Sequence, residues 1–149
     1  MKSEVLVIGY GNTLRSDDGA GQLVSEAVAK QGWSNVRSLC RHQLTPELAE
    51  DIANSSSVIF VDALVSNPSE SLTLIVEKIE PLATNNVGLG HTANPRSLLS
   101  LTQAVYNYVP PAWWILIPAV NFEFGEQLSP VTKRAINEAI EQIERLKNS

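Results

Sequence analysis

Val5-Leu6-Val7-Ile8-Gly9-Tyr10-Gly11-Asn12-Thr13-Leu14-Arg15-Ser16-Asp17-Asp18-Gly19-Ala20-Gly21 joins an apolar run to a glycine turn and a pair of aspartates. Residues 5–8 are a continuous apolar run, the pattern of a buried strand, and the glycines after it permit a tight turn into a helix. A dinucleotide fingerprint would read G-x-G-x-x-G, with a third glycine for close helix packing and a helix start left clear for pyrophosphate. Leu14 occupies that third position, and Asp17 and Asp18 stand where the phosphate would dock. Two carboxylates at a helix start repel an anion and attract a cation.

Downstream, strands and helices alternate. Ala20, Leu23, Val24, Ala27 and Val28 recur at helical spacing, with Ser16 or Asp17 as expected cap and Gly32 as the stop. A short strand is expected over 35–39. Thr45-Pro46 then opens a helix with apolar Leu48, Ala49, Ile52 and Ala53. Residues 58–61 read as a strand covered on both faces that ends in Asp62. Residues 72–77 read as a strand reached through Ser66, Asn67, Pro68 and Ser69, too short a link for a crossover helix, so this strand runs antiparallel. A loop over 78–90 delivers His91, and Asn94-Pro95 starts a helix carrying Leu98, Leu99, Leu101, Thr102 and Val105. A strand over 113–117 limited by Pro118, an irregular segment over 121–128, and a helix opened by Ser129-Pro130 complete the chain. The last helix has Val131, Ala135, Ile136, Ala139, Ile140, Ile143 and Leu146 as its apolar stripe. This alternation specifies a single domain over 1–149 with an α/β fold, a three-layer α/β/α sandwich around a mostly parallel mixed sheet of about five strands.

Composition narrows the function. At 149 residues with 44% hydrophobic and 18% charged side chains, the chain suffices for one substantial core. A net charge of −5 and scattered lysines and arginines argue against nucleic acid as a partner. The lone Cys40 leaves no internal disulfide and no zinc-site cysteine pair, which suits a reducing cytoplasm. Neither a signal peptide nor a membrane-spanning run is expected from the apolar segments.

Ligands of open α/β sheets bind beyond the carboxyl ends of the strands. Asp18 follows the first strand and Asp62 ends the third, so both fall on that edge if those strands are parallel neighbours. The 13-residue segment 78–90 spans up to about 40 Å when extended, enough to bring His91 back to them. Two carboxylates and an imidazole suit a divalent transition ion and leave positions open for water or substrate. Each residue also has an ordinary role open to it. Asp17 is weighed chiefly as a capping residue, Asp62 as a binder of loop amides, and His91 as a loop histidine. His42 in Cys40-Arg41-His42-Gln43 is a helix-preceding loop residue that competes at most with His91, and Cys40 lacks an orienting partner for a nucleophile. No G-x-S-x-G elbow and no H-E-x-x-H pair is present.

The string Gly-x-Gly-Asn-x-Leu-x-x-Asp-Asp-Gly-x-Gly resembles the opening of the nickel–iron hydrogenase maturation proteases, and the resemblance extends over nearly the whole chain. It continues in Val61-Asp62-Ala63, in Gly90-His91-Thr92, and in the closing segment from Ile117-Pro118 to Ser129-Pro130. Many relatives place a Gly-rich turn where this chain has Cys40-Arg41-His42-Gln43. The resemblance implies a metal-dependent, aspartate-led endopeptidase that removes the C-terminal extension of a hydrogenase large-subunit precursor after nickel insertion. It implies that Asp18, Asp62 and His91 are at once the metal-binding and the catalytic residues. Nickel would come with the precursor, and zinc or cadmium suit the same ligands. Two other functions stand beside it: an NAD(P)-dependent oxidoreductase using Gly9, Gly11 and Arg41, and a non-catalytic nickel checkpoint protein.

Overall fold

The structure is a computed structural model that describes residues 4–70, 72–83 and 94–148. Within them the chain runs β1 (Val5–Tyr10), a 3-10 turn (Ser16–Gly19), α1 (Ala20–Gln31), β2 (Val36–Arg41), α2 (Leu48–Ala53), β3 (Ser57–Val65), β4 (Ile75–Ile79), α3 (Pro95–Tyr106), β5 (Ala112–Ala119) and α4 (Pro130–Leu146). The sheet order is β2-β1-β3-β5-β4, with β4 alone antiparallel, on the edge beside β5. The expected three-layer mixed sandwich is therefore present. β1 lies between β2 and β3, so the direction of chain progress across the sheet reverses there, which places the switch point at the carboxyl ends of β1 and β3.

Side-chain alternation splits the core in two. Leu6, Ile8, Tyr10, Val58 and Phe60 face one side and pack with Leu48, Ile52, Leu98 and Leu99 of α2 and α3. Val5, Val7, Ile59, Val61, Ile115 and Ile117 face the other, with Val24 and Val28 of α1 and Ala135, Ala139 and Ile143 of α4. A fully buried residue such as Phe60 or Ile8 contributes roughly 1.5–3 kcal/mol.

α1 sits unusually close to the sheet because Gly9 and Gly21 face each other. A Cβ on Gly21 would strike the carbonyl oxygens of Val61 and Tyr10, and one on Gly9 would strike Gly21 O and Ser25 Oγ. Gly21 thus does what the absent third glycine of the nucleotide motif would do.

The expected caps are differently made. Asp17 does not cap α1. It is fully buried and accepts hydrogen bonds from the amides of Val120 (3.0 Å), Asn121 (2.9 Å) and Ser129 (2.8 Å) and from the Ser129 hydroxyl (2.7 Å). Ser129 is the N-cap residue of α4, but its hydroxyl serves Asp17 instead of its own helix. Ser16 donates to Glu123 O (2.8 Å), and Thr45 makes no side-chain cap. Asn94 is the cap expected of it, accepting from Arg96 N (2.7 Å) ahead of Pro95.

Asp17 thereby joins the loop after β1 to the segment between β5 and α4. The two are zipped further by Ser16 N to Gly125 O and Gly125 N to Leu14 O, both 2.8 Å, and by the Arg15 guanidinium lying 4.4 Å from the centre of the Phe124 ring. This strap gives the irregular segment 121–128 its form.

Strand lengths also differ from expectation. β3 continues to Val65, because β5 goes on pairing with it up to Val65↔Ala119. β5 runs through Pro118 to Ala119, since the last β4–β5 pair is Ile75↔Leu116 and the missing N–H costs no bond on that side. β2 covers Val36–Arg41 and β4 covers Ile75–Ile79, each shifted toward its C-terminal end relative to the 35–39 and 72–77 expected.

Two stability measurements follow. Gly21→Ala should lower the free energy of unfolding by about 1–3 kcal/mol in a denaturant titration, because backbone rather than a flexible side chain must give way. Asp17→Ala should lower it by about 3 kcal/mol at neutral pH, leaving several donors without an acceptor. Burial alone would raise the Asp17 pKa, but the bonds from Ser129, Val120 and Asn121 hold it below the ordinary carboxylate value. Its contribution is then complete above the unfolded-chain value of about 3.9 and lost as pH falls through the lower folded value, so wild type and variant should converge in acid.

Candidate active site

The turn after β1 consumes its own amides. Gly11, with φ +139°, leaves the sheet with its N–H on Arg41 O (3.2 Å), and a side chain there would strike the carbonyl of Asp18. Asn12 N donates to Asp18 Oδ2 (2.9 Å), Leu14 N to Asn12 Oδ1 (2.9 Å), Arg15 N to Asn12 O (3.1 Å) and Asp18 N to Arg15 O (3.1 Å). Ser16 N and Asp17 N are taken by Gly125 O and Asn121 O. The amides that a pyrophosphate would need are bonded within the protein, which removes the physical basis for the dinucleotide alternative. Arg41, its intended ribose-phosphate partner, directs Nη1 to Cys40 O (2.9 Å).

Asp18 is half-buried, with one carboxylate oxygen held by the Asn12 amide. Asp62 lies inside β3 rather than at its end. On one side it pairs with Leu116 of β5, while on the other the last β1 pair is Gly9↔Val61. Where β1 stops, Asp62 Oδ1 accepts the N–H of its own neighbour Ala63 (2.8 Å). The expected parallel pairing of β1 with β3 is present, and it sets Asp62 just past the point where that pairing ends, with Asp18 in the turn that follows β1.

Their electrostatics are coupled. Burial pushes the Asp62 carboxyl up to about 6, against the opposing hydrogen bond from Ala63 N and the influence of the nearby Tyr10 hydroxyl, and the charge of Asp18 adds to the rise. An ion pair of like sign so placed is relieved by a cation between the two. Oxygen donors of this kind fit a divalent ion.

Tyr10 and Trp114 were not singled out by the sequence reading. Tyr10 follows Ile8 by two on the same strand face, next to Asp62, and Trp114 pairs with Phe60 on that face. Neither Tyr10 Oη nor Trp114 Nε1, both buried, closes a hydrogen bond of ordinary length, although the two atoms lie close enough to influence each other and, through Tyr10, Asp62. Burial first, then the Asp62 charge, keeps the Tyr10 hydroxyl protonated far above its usual range. Polar-tipped aromatics inside apolar runs were the available signal.

The remaining candidates separate clearly. Asp17 is a structural clamp turned toward β5 and α4. Cys40 shares the α1 side of the sheet, where its thiol donates to Gln22 O (3.6 Å), opposite the face that bears Asp62. His42 is exposed in a bend. His91 lies outside the described residues. Among the described residues no three His, Cys, Asp or Glu side chains gather into one ligand cluster. A cleft of about 370 Å³ lined by Thr13, Ser16, Gly19, Leu23, Glu26, Glu126 and Leu128 opens beside the strap, and neither Asp18 nor Asp62 is among its lining residues. Among the described residues no helix is long and apolar enough to cross a membrane.

No protein-family model matches the chain. The chain is 26% identical over 144 residues to the hydrogenase 2 maturation protease of Escherichia coli (strain K12), covering 93% of this chain and 87% of that protein. Among solved structures, the nickel–iron hydrogenase maturation protease HybD from Thermococcus kodakarensis superposes with a TM-score of 0.73 at 23% identity, over 97% of this chain and 99% of that one. The hydrogenase maturating endopeptidase HybD from E. coli does so with a TM-score of 0.74 at 24% identity, over 94% and 89%. The chain is thus similar in sequence, along nearly its whole length, to a hydrogenase maturation protease, and it shares the fold of the solved nickel–iron hydrogenase maturation proteases.

Proposed function

We propose that this protein is an endopeptidase that removes the C-terminal extension of a nickel–iron hydrogenase large-subunit precursor after nickel insertion, acting in the cytoplasm. The observation that carries the proposal is the meeting of Asp18 and Asp62 at the carboxyl edge of β1 and β3, with the charge of one raising the proton affinity of the other. Nickel belongs to the substrate in this scheme. Asp18 and Asp62 supply two oxygen ligands and His91, assigned by its motif, supplies a nitrogen; zinc or cadmium suit the same set. Bound nickel contributes Lewis acidity toward the scissile carbonyl or a water.

The protein's own groups have separable tasks. The Asn12 amide fixes the Asp18 carboxylate, and the Ala63 amide fixes that of Asp62. The Tyr10 hydroxyl favours the charged form of Asp62 from beneath. Because the carboxylates sit poorly together without a cation, a precursor lacking nickel engages the site weakly, which ties cleavage to metal insertion without an extensive peptide groove.

Intact-mass spectrometry of a large-subunit precursor incubated with the protein tests this directly. Loss of the tail mass is expected from nickel-loaded precursor and not from nickel-free precursor. Binding without mass loss would instead make the protein a checkpoint. Asp18→Ala, Asp62→Ala and His91→Ala should each slow tail removal by at least roughly 100-fold with circular dichroism unchanged, since even partners outside a metal's ligands are worth about 10–100-fold. Full activity in any two of them would overturn the site.

The Asp62 carboxyl should titrate near pH 6 in the metal-free protein when followed by carboxyl carbon NMR. Tyr10→Phe should move that midpoint upward, because the hydroxyl opposes the rise. The sign for stability is the reverse of that at Asp17. A raised folded pKa gives a contribution complete below the unfolded value of about 3.9 and lost as pH climbs through about 6.

A further inference from the structure

The end of the β1 pairing leaves part of β3 without a paired strand on that side. In β3, Val58 donates its N–H to Pro111 O, and Ser66, just past the strand, donates to Ala119 O, both toward β5. Even-numbered residues of this strand therefore aim their main-chain groups at β5, and odd-numbered residues aim theirs at β1. β1 pairs as far as Gly9↔Val61, and Gly11 then carries the chain off toward β2, where its N–H meets Arg41 O. Beyond Val61 the outward groups are those of Ala63 and Val65. The Ala63 N–H is taken by Asp62, but the Ala63 carbonyl and both polar groups of Val65 have no hydrogen-bond partner among the described residues on that side. Leu64 and Val65 are 38% and 76% exposed.

An open strand edge is a template for another extended chain. This one is short and begins at Asp62, and at about 3.3 Å per residue the span 62–65 accepts only a few residues of peptide. We propose that this stretch of β3 is the docking rail for the substrate, on which an extended segment of the precursor's C-terminal tail adds as a strand in the line vacated by β1. Main-chain bonds to Ala63 O and Val65 would give affinity with little demand on sequence, and would set the backbone of the tail beside Asp62 and Asp18. The continuity of the edge with the carboxylate pair favours the tail over a second copy of this chain. The inference rests on the proposed peptidase activity.

The test uses the full-length protein, nickel-loaded precursor, and synthetic peptides of that precursor's own tail as competitors. Peptides N-methylated at alternate amides should divide by register: one set loses inhibition and the set shifted by one residue keeps it. Equal potency of the two sets overturns the rail. Val65→Pro removes an outward N–H while leaving the β5-facing groups of Leu64 and Ser66, and should raise KM about tenfold with the effect in KM rather than kcat. An unchanged KM in folded Val65→Pro overturns the proposal, as does a concentration-dependent dimer that this substitution abolishes. If wild-type protein shortens the nickel-loaded precursor and both edge tests fail, the rail alone is wrong; if wild-type protein shortens no precursor, the activity and the rail fall together.

Discussion

The burial of the Asp17 carboxylate is the constraint on which the rest of the site depends. A charged group taken out of water must be fully bonded, and four donors from the far end of the chain meet that demand. The loop after β1 is thus anchored to the start of α4, more than a hundred residues later. Asp18, next in sequence, is left at the edge of the sheet with one oxygen fixed and the other making no hydrogen bond to the described residues. Adjacent residues of the same type therefore divide the work: one holds the loop and the other is held out by it.

Close packing sets the depth of that edge. Gly9 and Gly21 let α1 approach β1 and β3, and the turn at Gly11 passes directly over the backbone of Asp18. These contacts bring the turn's carboxylate within electrostatic reach of Asp62, where its charge adds to the rise in proton affinity that burial produces.

Much of this was legible in the sequence for a definable reason. Apolar runs such as 58–61 and the stripe from Val131 to Leu146 have periods that only one kind of element satisfies, so the layers and the reversed β4 could be read in advance. The Asp18 and Asp62 placement needed only the parallel pairing of β1 with β3. What escaped were features fixed by distant partners. The length of β3 beyond Asp62 depends on how far β5 accompanies it, and the role of Asp17 depends on amides at 120, 121 and 129. Local rules assigned Asp17 and Ser129 to their own helices, and their bond to each other overrides both. Tyr10 and Trp114 are passed over because an aromatic in an apolar run reads as filling, and only the fold shows the Tyr10 hydroxyl near Asp62 and Trp114 Nε1 near that hydroxyl.

The self-bonded turn after β1 has a bearing on how this fold stands to the nucleotide-binding α/β proteins it outwardly echoes. Five features are interlocked there: a glycine over a carbonyl, an asparagine and an aspartate accepting loop amides, a strap from the last third of the chain, and a buried anion that closes it. Restoring a missing glycine at Leu14 would release none of those amides. Passage from one binding chemistry to the other would require several of these bonds to be given up together, through intermediates that hold neither a phosphate nor the loop. The likeness of the two openings is thus a likeness of shape separated by a barrier in sequence space.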